Sequence, residues 1–223
     1  MKLSIIMPVY NEALTLRQII KKIKLVDIDI ELIIVDDGSI DESVQILDEV
    51  RDSSVRVVKH SRNKGKGHAI KTGLSYVTGD VVIIQDADLE YDPADYVKLV
   101  QPIADGVAKV VYGSRFLIRK NNISRPYYAA NKFLTFLTNL LYGSHLTDME
   151  TCYKLFCSDI IKGLGLESDG FEIEPELTIK TIKKGYEIYE VPISYQARSC
   201  REGKKITWRD AIKTVLTILR YKF

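Results

Sequence analysis

The sequence is poor in cysteine and in long apolar runs, and each shortage argues against a class of protein. Its three cysteines, Cys152, Cys157 and Cys200, show neither CxxC nor Cys/His spacing, which disfavours a zinc site and a disulfide framework. No apolar stretch approaches the roughly 18–20 residues that cross a bilayer. The run after Lys2 is too short for a signal peptide and ends in polar residues. We therefore expect a cytoplasmic protein with reduced thiols.

An excess of one charge is absent from the whole chain but present in its last segment. The chain has 32 lysines and arginines against 30 aspartates and glutamates, a net charge of +2. Residues 1–197 carry −4 and residues 198–223 carry +6. The 46% of hydrophobic residues is ordinary for a globular protein and argues against a disordered chain. Because residues 1–197 offer no extended basic surface, we expect no nucleic-acid partner.

Short apolar runs alternate with helical periodicity over the first 115 residues. The predicted strands are Leu3–Val9, Glu31–Val35, Val55–His60, Val81–Gln85 and Ala108–Gly113. The helices predicted between them cover residues 14–24, 41–52, 67–77 and 95–104. This alternation predicts an α/β fold with a mostly parallel central sheet flanked by helices. Ligands of such sheets bind beyond the carboxyl ends of the strands.

The second half has a different pattern and ends in a basic helix. A helix is predicted over residues 126–143, strands over 151–156 and 186–194, a helix over 175–184 between them, and a terminal helix over 208–223. No Pro-, Gly- or Ser-rich linker interrupts the chain, so residues 1–197 are interpreted as one domain.

Two carboxylates separated by one residue, Asp86 and Asp88, directly follow the fourth predicted strand. Such a pair can bind one Mg²⁺ or Mn²⁺ together with the phosphates of a nucleotide. Glu90 can add a further oxygen ligand. The motif is short, and a solvated acidic turn or a helix cap is an alternative interpretation.

Polar residues also follow the first three strands. Tyr10, between Pro8 and Glu12, can lie against a base, and Asp36 or Asp37 can accept hydrogen bonds from base or ribose. The segment 62–67, RNKGKG, combines glycines that permit close backbone approach with cations suited to phosphate. Its spacing matches neither the P-loop nor the dinucleotide fingerprint. Each of these features alone is equally typical of an ordinary turn.

Five motifs in this order resemble glycosyltransferase family 2. They are PVYNE at 8–12, VDDGS at 35–39, NKGKG at 63–67, DAD at 86–88 and YGSR at 112–115. The resemblance implies the GT-A fold, which is Rossmann-like, over residues 1–197. Within it, residues 1–115 would form the nucleotide-sugar half and residues 116–197 the acceptor half. Within the family the chain is similar to dolichyl-phosphate and polyprenyl-phosphate mannose (sugar) synthases.

The resemblance implies a reaction and a set of partners. A hexose would pass from GDP-mannose or a UDP-sugar to a polyprenyl or dolichyl phosphate, with inversion and with Mg²⁺ or Mn²⁺ as cofactor. The enzyme would be cytoplasmic or peripheral on the cytoplasmic face of the membrane. Two alternatives stay open: the same donor with a saccharide or other hydroxyl acceptor, and a nucleotide-sugar-binding protein without transfer activity.

The same resemblance implies roles for individual residues. The metal ligands would be Asp86, Asp88 and Glu90, and the catalytic residues Asp88, Arg115, Arg125 and Asp148. The nucleotide-sugar would be bound by Pro8, Tyr10, Glu12, Asp36, Asp37, Asn63, Lys66, Asp86, Arg198, Lys204 and Lys205. Arg115 and Arg125 match arginines that hold the acceptor phosphate. The chain departs from the family at Ala129, where serine is common, and at Cys152, where glycine is common.

The acceptor decides whether the reaction needs a base. A phosphate monoester has a second pKa near ~6, so it is largely anionic at neutral pH and hardly needs one. A hydroxyl acceptor would need a carboxylate base, for which Asp148 is the first candidate.

The terminal helix combines an apolar face with cations. The apolar face comprises Trp208, Ala211, Ile212, Val215, Leu216, Leu219 and Phe223. A basic amphipathic helix can lie in a membrane interface, which predicts a peripheral membrane contact through residues 208–223. The alternative is a terminal helix packed on the core with a solvated basic face.

Overall fold

The structure is a computed structural model, and it describes residues 1–52, 54–118, 123–198 and 208–222. Lys204, Lys205, Cys200, Phe223 and the side chain of Trp208 lie outside the described residues. Within the described ranges, no helix has both the length and the apolar character that a membrane crossing requires.

The predicted elements are present, with shifted ends. The strands are β1 (Leu3–Val9), β2 (Ile30–Asp36), β3 (Val55–Lys59), β4 (Val81–Ile84), β5 (Val110–Ser114), β6 (Lys154–Cys157) and β7 (Tyr189–Pro192). The helices are α1 (Ala13–Lys24), α2 (Ser43–Glu49), α3 (Lys66–Leu74), α4 (Tyr96–Ala104), α5 (Arg125–Tyr142), α6 (Ser158–Lys162), α7 (Ile173–Lys183) and α8 (Trp208–Arg220). A 3₁₀ turn, Pro93–Asp95, leads into α4.

In the part of the chain that the structure describes, seven strands form one sheet in the order β3-β2-β1-β4-β6-β5-β7. The pairs among β1 to β4 and the β5–β7 pair are parallel. β6 is antiparallel to both β4 and β5. The prediction of a mostly parallel α/β sheet flanked by helices is therefore confirmed, with one reversed strand.

The reversal of β6 brings a loop to the functional edge of the sheet. In the register, Leu155 pairs with Ile83 and Lys154 pairs with Tyr112, close to the carboxyl ends of β4 and β5. The amino end of β6 therefore lies where its neighbours end. The residues that precede Lys154 are carried to this edge, beside the turns that follow β1, β2 and β4.

The core has a main part around the sheet and a smaller part under the terminal helix. The strands β1, β2 and β4 are almost wholly buried, which explains their near-continuous apolar sequence. The smaller cluster joins Leu134 of α5, Ile179 of α7 and Ile218 of α8. Ile218 is 0% exposed, so α8 is anchored in the fold through this residue.

The face that α8 buries differs from the predicted apolar face. Thr214 and Ile218 are buried, whereas Ile212 and Leu216 are 49% and 60% exposed. Residues four positions apart lie on one side of a helix, and here it is the 214–218 side that meets α5 and α7. Packing on the core is therefore established for α8, while much of the predicted apolar face points outward.

Candidate active site

A first cavity of about 340 Å³ opens beyond the carboxyl ends of β1, β2 and β4. Its walls include predicted donor-site and metal-site residues, namely Pro8, Tyr10, Glu12, Asp37, Asn63, Lys66, Asp86, Asp88, Glu90 and Arg198. Gly170 and Phe171, which the sequence did not single out as ligand-binding residues, complete it. The strand-end motifs of the sequence therefore meet in one place.

Asp36 and Asp37 hold the backbone around the first cavity. Asp36 accepts the N–H of Ser39 at 2.9 Å and does not line the cavity. Asp37 accepts the N–H groups of Lys64 at 2.9 Å and Gly65 at 2.7 Å. Its carboxylate also lies 2.7 Å from Nδ1 of His60. Asp37 therefore fixes the glycine-rich segment, and its carboxylate is engaged by protein groups of Lys64, Gly65 and His60.

Gly65 is required by both its backbone and its surroundings. Its φ is +101°, and a Cβ placed there would lie 2.3 Å from the carbonyl oxygen of Asp169. A Cβ on Gly67 would lie 2.4 Å from the carbonyl oxygen of Ser168. The glycines thus let the loop before α7 close over the segment, which positions Gly170 and Phe171 at the cavity.

Arg198 binds the carboxylates that follow β4. Its Nη2 lies 2.6 Å from Asp88 Oδ2, and its Nη1 lies 3.2 Å from Glu12 Oε2. Its backbone N–H donates to Glu90 at 2.8 Å, and the Tyr195 hydroxyl donates to the same carboxylate at 2.7 Å. One arginine therefore joins three acidic side chains of the cavity wall.

The pKa of Asp88 reflects its burial first and the neighbouring carboxylates second. Burial raises it, and the neighbouring carboxylates of Asp86 and Glu90 raise it further, to about 7. Arg198 opposes the shift but does not cancel it. The group is therefore poised to change its charge near neutral pH in the absence of a further cation.

Lys66 lies between two acidic groups from distant parts of the chain. Its Nζ is 2.6 Å from Asp86 Oδ1 and 3.0 Å from Glu174 Oε1. Burial alone would lower the pKa of Lys66, but these carboxylates raise it well above the ordinary value. Lys66 is therefore a permanent cation at the floor of the site.

The carboxylates of the DAD turn are suitable ligands for a divalent metal, although their side chains do not converge on one metal position. Among the described residues, no group of three or more His, Cys, Asp or Glu side chains is arranged to hold a metal ion. Asp86 faces Lys66, while Asp88 and Glu90 face Arg198. Carboxylate oxygens are the ligands that Mg²⁺ and Mn²⁺ prefer, and three carboxylates, those of Asp86, Asp88 and Glu90, lie within a stretch of five residues after β4.

A second cavity of about 410 Å³ adjoins the first. Both are lined by Lys66, Asp86, Glu90 and Phe171. The remaining walls of the second cavity come largely from Arg115 and from apolar or aromatic residues, among them Tyr91, Ile123, Pro126, Tyr127, Leu134 and Tyr195. Residues of α5 and α8 thus enclose a partly apolar space next to the acidic turn.

Arg115 is held in the second cavity by Asp148. The guanidinium donates to both carboxylate oxygens, each at 2.7 Å, and the Arg115 N–H donates to Asp148 at 3.0 Å. Arg115 also donates to Asn131 at 3.1 Å. This fork-to-fork pairing fixes the plane of the arginine.

Two of the predicted catalytic residues, Asp148 and Arg125, line neither cavity. Asp148 is wholly buried and lines neither cavity, and both of its oxygens bind Arg115. This geometry does not favour Asp148 as a proton acceptor for a hydroxyl group. Arg125 is exposed in the first turn of α5 and is not part of the cavity wall, although the next two residues are.

The loop before β6 contributes two residues to the wall of the second cavity. Glu150 and Cys152 line it, and Thr151 ties the loop to β5 by donating to the Gly113 carbonyl at 2.6 Å. Burial raises the pKa of the Cys152 thiol, which keeps it protonated. The sequence signal for Glu150 was only its place between Asp148 and Thr151.

The chain is similar to known glycosyltransferases over most of its length. The family model described as "Glycosyl transferase family 2" matches residues 4–165. A UDP-N-acetylglucosamine–dolichyl-phosphate N-acetylglucosaminyltransferase of Methanococcus voltae is 32% identical, covering 91% of this chain and 89% of that protein. A dolichol-phosphate mannosyltransferase of Pyrococcus furiosus is 28% identical, covering 92% of this chain and 59% of that protein.

A solved structure shares the fold. The glucosyl-3-phosphoglycerate synthase of Mycobacterium tuberculosis, in complex with Mn²⁺, UDP and glucosyl-3-phosphoglycerate, superposes with a TM-score of 0.75 at 21% identity. The match covers 99% of this chain and 79% of that one. At this identity the likeness concerns the fold alone.

Proposed function

This chain belongs to glycosyltransferase family 2 and is a nucleotide-sugar glycosyltransferase with the GT-A fold, and from this premise we propose that it transfers a hexose to a polyprenyl or dolichyl phosphate. The observation that carries the proposal is the second cavity. A buried arginine, suited to phosphate, stands there among apolar walls, suited to an isoprenoid chain. The names of the Methanococcus and Pyrococcus relatives support the same acceptor class.

The first cavity is proposed to hold the donor, GDP-mannose or a UDP-sugar. Tyr10 and Pro8 offer a surface for the base, and Asn63 lies in the wall where the glycine-rich segment approaches. Arg198, which lines this cavity, would balance the charge of the diphosphate. Lys204 and Lys205, by resemblance, are proposed to support the same charge.

Asp86, Asp88 and Glu90 are proposed to hold Mg²⁺ or Mn²⁺ together with the donor. The ion supplies charge neutralisation for the leaving diphosphate. Lys66, which lies against Asp86, is part of both cavity walls and keeps a positive charge between donor and acceptor.

In the transfer, a phosphate oxygen of the acceptor attacks the anomeric carbon, and the bond from that carbon to the diphosphate oxygen breaks. The electron pair leaves with the nucleoside diphosphate, and attack from the opposite side inverts the anomeric centre. Arg115 aligns the acceptor phosphate, and Asp148 keeps the guanidinium in position. The largely anionic nucleophile needs no strong base.

A peripheral membrane contact is proposed for the adjoining helices α5 and α8. Exposed apolar side chains lie on both, namely Phe133, Phe136, Leu140, Ile212, Leu216 and Leu219. The two helices pack together and both line the second cavity. Lysines and arginines of α8 would meet anionic headgroups, so the cavity would open next to the lipid that carries the acceptor.

A donor screen tests the proposal. The protein is incubated with each common GDP- or UDP-sugar, Mn²⁺ or Mg²⁺, and a short-chain polyprenyl phosphate, and products are identified by mass spectrometry. Parallel reactions contain a panel of saccharides in place of the lipid phosphate. A glycosyl phosphoprenol from one donor supports the proposal. Transfer to a saccharide alone would contradict the acceptor assignment and favour the hydroxyl alternative.

A further inference from the structure

Glu150 differs from the other acidic residues of the second cavity. Each of those carboxylates has an interaction partner: Asp86, Glu90, Glu174 and Asp210. The buried Oε1 of Glu150 has no hydrogen-bond donor among the described residues, and, unlike Glu174 Oε1, which lies 3.0 Å from Lys66 Nζ, it has no ion-pair partner among them. A buried oxygen without a donor disfavours an ionised carboxylate at this position.

The charged groups around Glu150 come from three other parts of the fold. Lys154 and Arg115 favour its ionised form, whereas Glu174 and Asp148 oppose it. Both cations are already engaged, Lys154 with Glu174 and with the carbonyl oxygen of Thr151 at 2.5 Å, and Arg115 with Asp148. Burial is the largest influence and raises the pKa of Glu150 to about 7. The neutral acid is therefore well populated at neutral pH.

The proposed acceptor makes the charge of Glu150 important. A phosphate monoester brings nearly two negative charges into this cavity, because its second pKa is near ~6. An ionised Glu150 would repel that anion. A neutral Glu150 could instead donate its O–H to a phosphate oxygen, in the short and strong type of hydrogen bond that an anionic acceptor makes.

We propose that Glu150 is a specificity-determining residue that binds the acceptor phosphate as a neutral acid, donating its proton in a hydrogen bond to one phosphate oxygen. This inference rests on the proposed lipid-phosphate acceptor. The complex holds one proton between carboxyl and phosphate, and a different oxygen of the same phosphate attacks the sugar. Arg115 supplies positive charge, and Glu150 selects ligands that can share a proton.

The proposal predicts how acceptor affinity depends on pH. The free carboxyl has a pKa of about 7 and the free phosphate one near ~6, so a single shared proton is easiest to supply between these values. Above pH ~7 both free groups lose their protons, and binding must recover one from the solvent. The affinity of the wild-type protein should therefore fall at least tenfold between about pH 6.5 and pH 8.5.

The test measures the binding of geranyl phosphate to the full chain by isothermal titration calorimetry at both pH values. Glu150→Gln offers an N–H donor of the same shape that does not titrate. It should change affinity less than threefold between the two pH values and should bind at least fivefold more tightly than the wild type at pH 8.5. Glu150→Ala, without a donor, should bind more weakly than Glu150→Gln at both.

Glu172→Gln is the matched control. Glu172 also has a buried oxygen without a donor among the described residues, but it lines neither cavity. Its variant should keep the pH dependence of the wild type. Asp88 also titrates in this range, and it is present in every variant, so the contrast with Glu150→Gln isolates Glu150.

Several results would overturn the proposal. One is a wild-type affinity that changes less than threefold with pH, and another is the same fall in Glu150→Gln as in the wild type. A loss of kcat above 100-fold in Glu150→Gln, with unchanged acceptor affinity, would make Glu150 a general base instead. Transfer to a saccharide alone would contradict the proposed function. The calorimetric titrations with geranyl phosphate would still decide whether Glu150 donates a hydrogen bond to a phosphate oxygen.

Discussion

Arg198 Nη2 lies 2.6 Å from Asp88 Oδ2, which joins the start of the basic C-terminal segment to the acidic turn after β4. The same guanidinium reaches Glu12 after β1. The arginine thus offsets part of the negative charge around Asp88, one of the proposed metal ligands. Cation and guanidinium would compete for Asp88, because both need the same oxygen atoms.

This competition predicts an effect of Arg198→Gln on metal binding. In the absence of the nucleotide-sugar, the variant should bind Mn²⁺ about tenfold more tightly than the wild type, because Asp88 and Glu12 lose a cationic partner. Sugar transfer should fall, since Arg198 also lines the wall assigned to the diphosphate. Titration with Mn²⁺ followed by electron paramagnetic resonance measures the first effect. Unchanged or weaker Mn²⁺ binding would show that the guanidinium does not compete.

Asp88→Asn should separate activity from stability. Transfer should drop at least 100-fold, because the proposed metal loses a charged ligand. The folded-state pKa of Asp88 is raised to about 7, so ionising this group disfavours the folded state progressively as pH rises from about 4 to about 7. The variant should therefore be as stable as the wild type near pH 4, and more stable than the wild type at pH 8.

Thermal unfolding near pH 4 and at pH 8 measures whether Asp88→Asn is as stable as the wild type at the lower pH and more stable at the higher one. Asp95→Asn serves as a comparison. Asp95 is a buried aspartate that accepts the backbone N–H of Ser194, and it lies outside both cavities. That variant should lose stability and keep its metal response. A lower melting temperature of Asp88→Asn at pH 8 would mean that its pairing with Arg198 outweighs the repulsion.

How far the sequence could predict this site depends on the range of the interactions. The strand-end motifs are local, and the apolar strands that carry them show in the sequence, so Tyr10, Asp37 and Asp86 can be placed at one edge of the sheet, where all three line the first cavity. The DAD turn and Arg198 are 110 residues apart, and no periodicity connects them. Family resemblance suggested that proximity, whereas the contact with Asp88 is a tertiary result.

The acceptor side was harder to predict for a physical reason. Apolar residues show that a strand exists but not its direction, and the reversal of β6 decides which loop reaches the cavity. Glu150 is placed by that reversal. In α8, the sequence offers more than one apolar stripe, and only the packing of α5 and α7 selects Ile218 for burial.

Arg115→Lys should impair the acceptor step selectively. Lysine keeps the buried positive charge beside Asp148 but cannot form the two parallel hydrogen bonds of the guanidinium. Transfer to a short-chain polyprenyl phosphate should fall at least 30-fold, while hydrolysis of the donor should change less than threefold. Both rates are measured with the same donor. An equal loss of the two would argue against acceptor-phosphate binding by Arg115.

Asp148→Asn should affect both folding and the acceptor. The variant leaves the buried Arg115 without its counter-charge, which should lower the free energy of unfolding by about 3 kcal/mol. The KM for the acceptor should rise, since the arginine is no longer fixed. Urea denaturation and acceptor kinetics measure the two effects. A large loss of kcat with an unchanged KM would instead support the base role first expected for Asp148.

The exposed and buried sides of α8 should respond differently to substitution. Leu216→Ser removes an apolar group that is 60% exposed, so it should weaken binding to vesicles that contain anionic lipid without changing the melting temperature. Ile218→Ala empties a wholly buried position and should cost about 2–5 kcal/mol of stability. Vesicle co-sedimentation and urea denaturation distinguish the two variants. If Leu216→Ser binds vesicles as tightly as the wild type, this face of α8 does not carry the membrane contact.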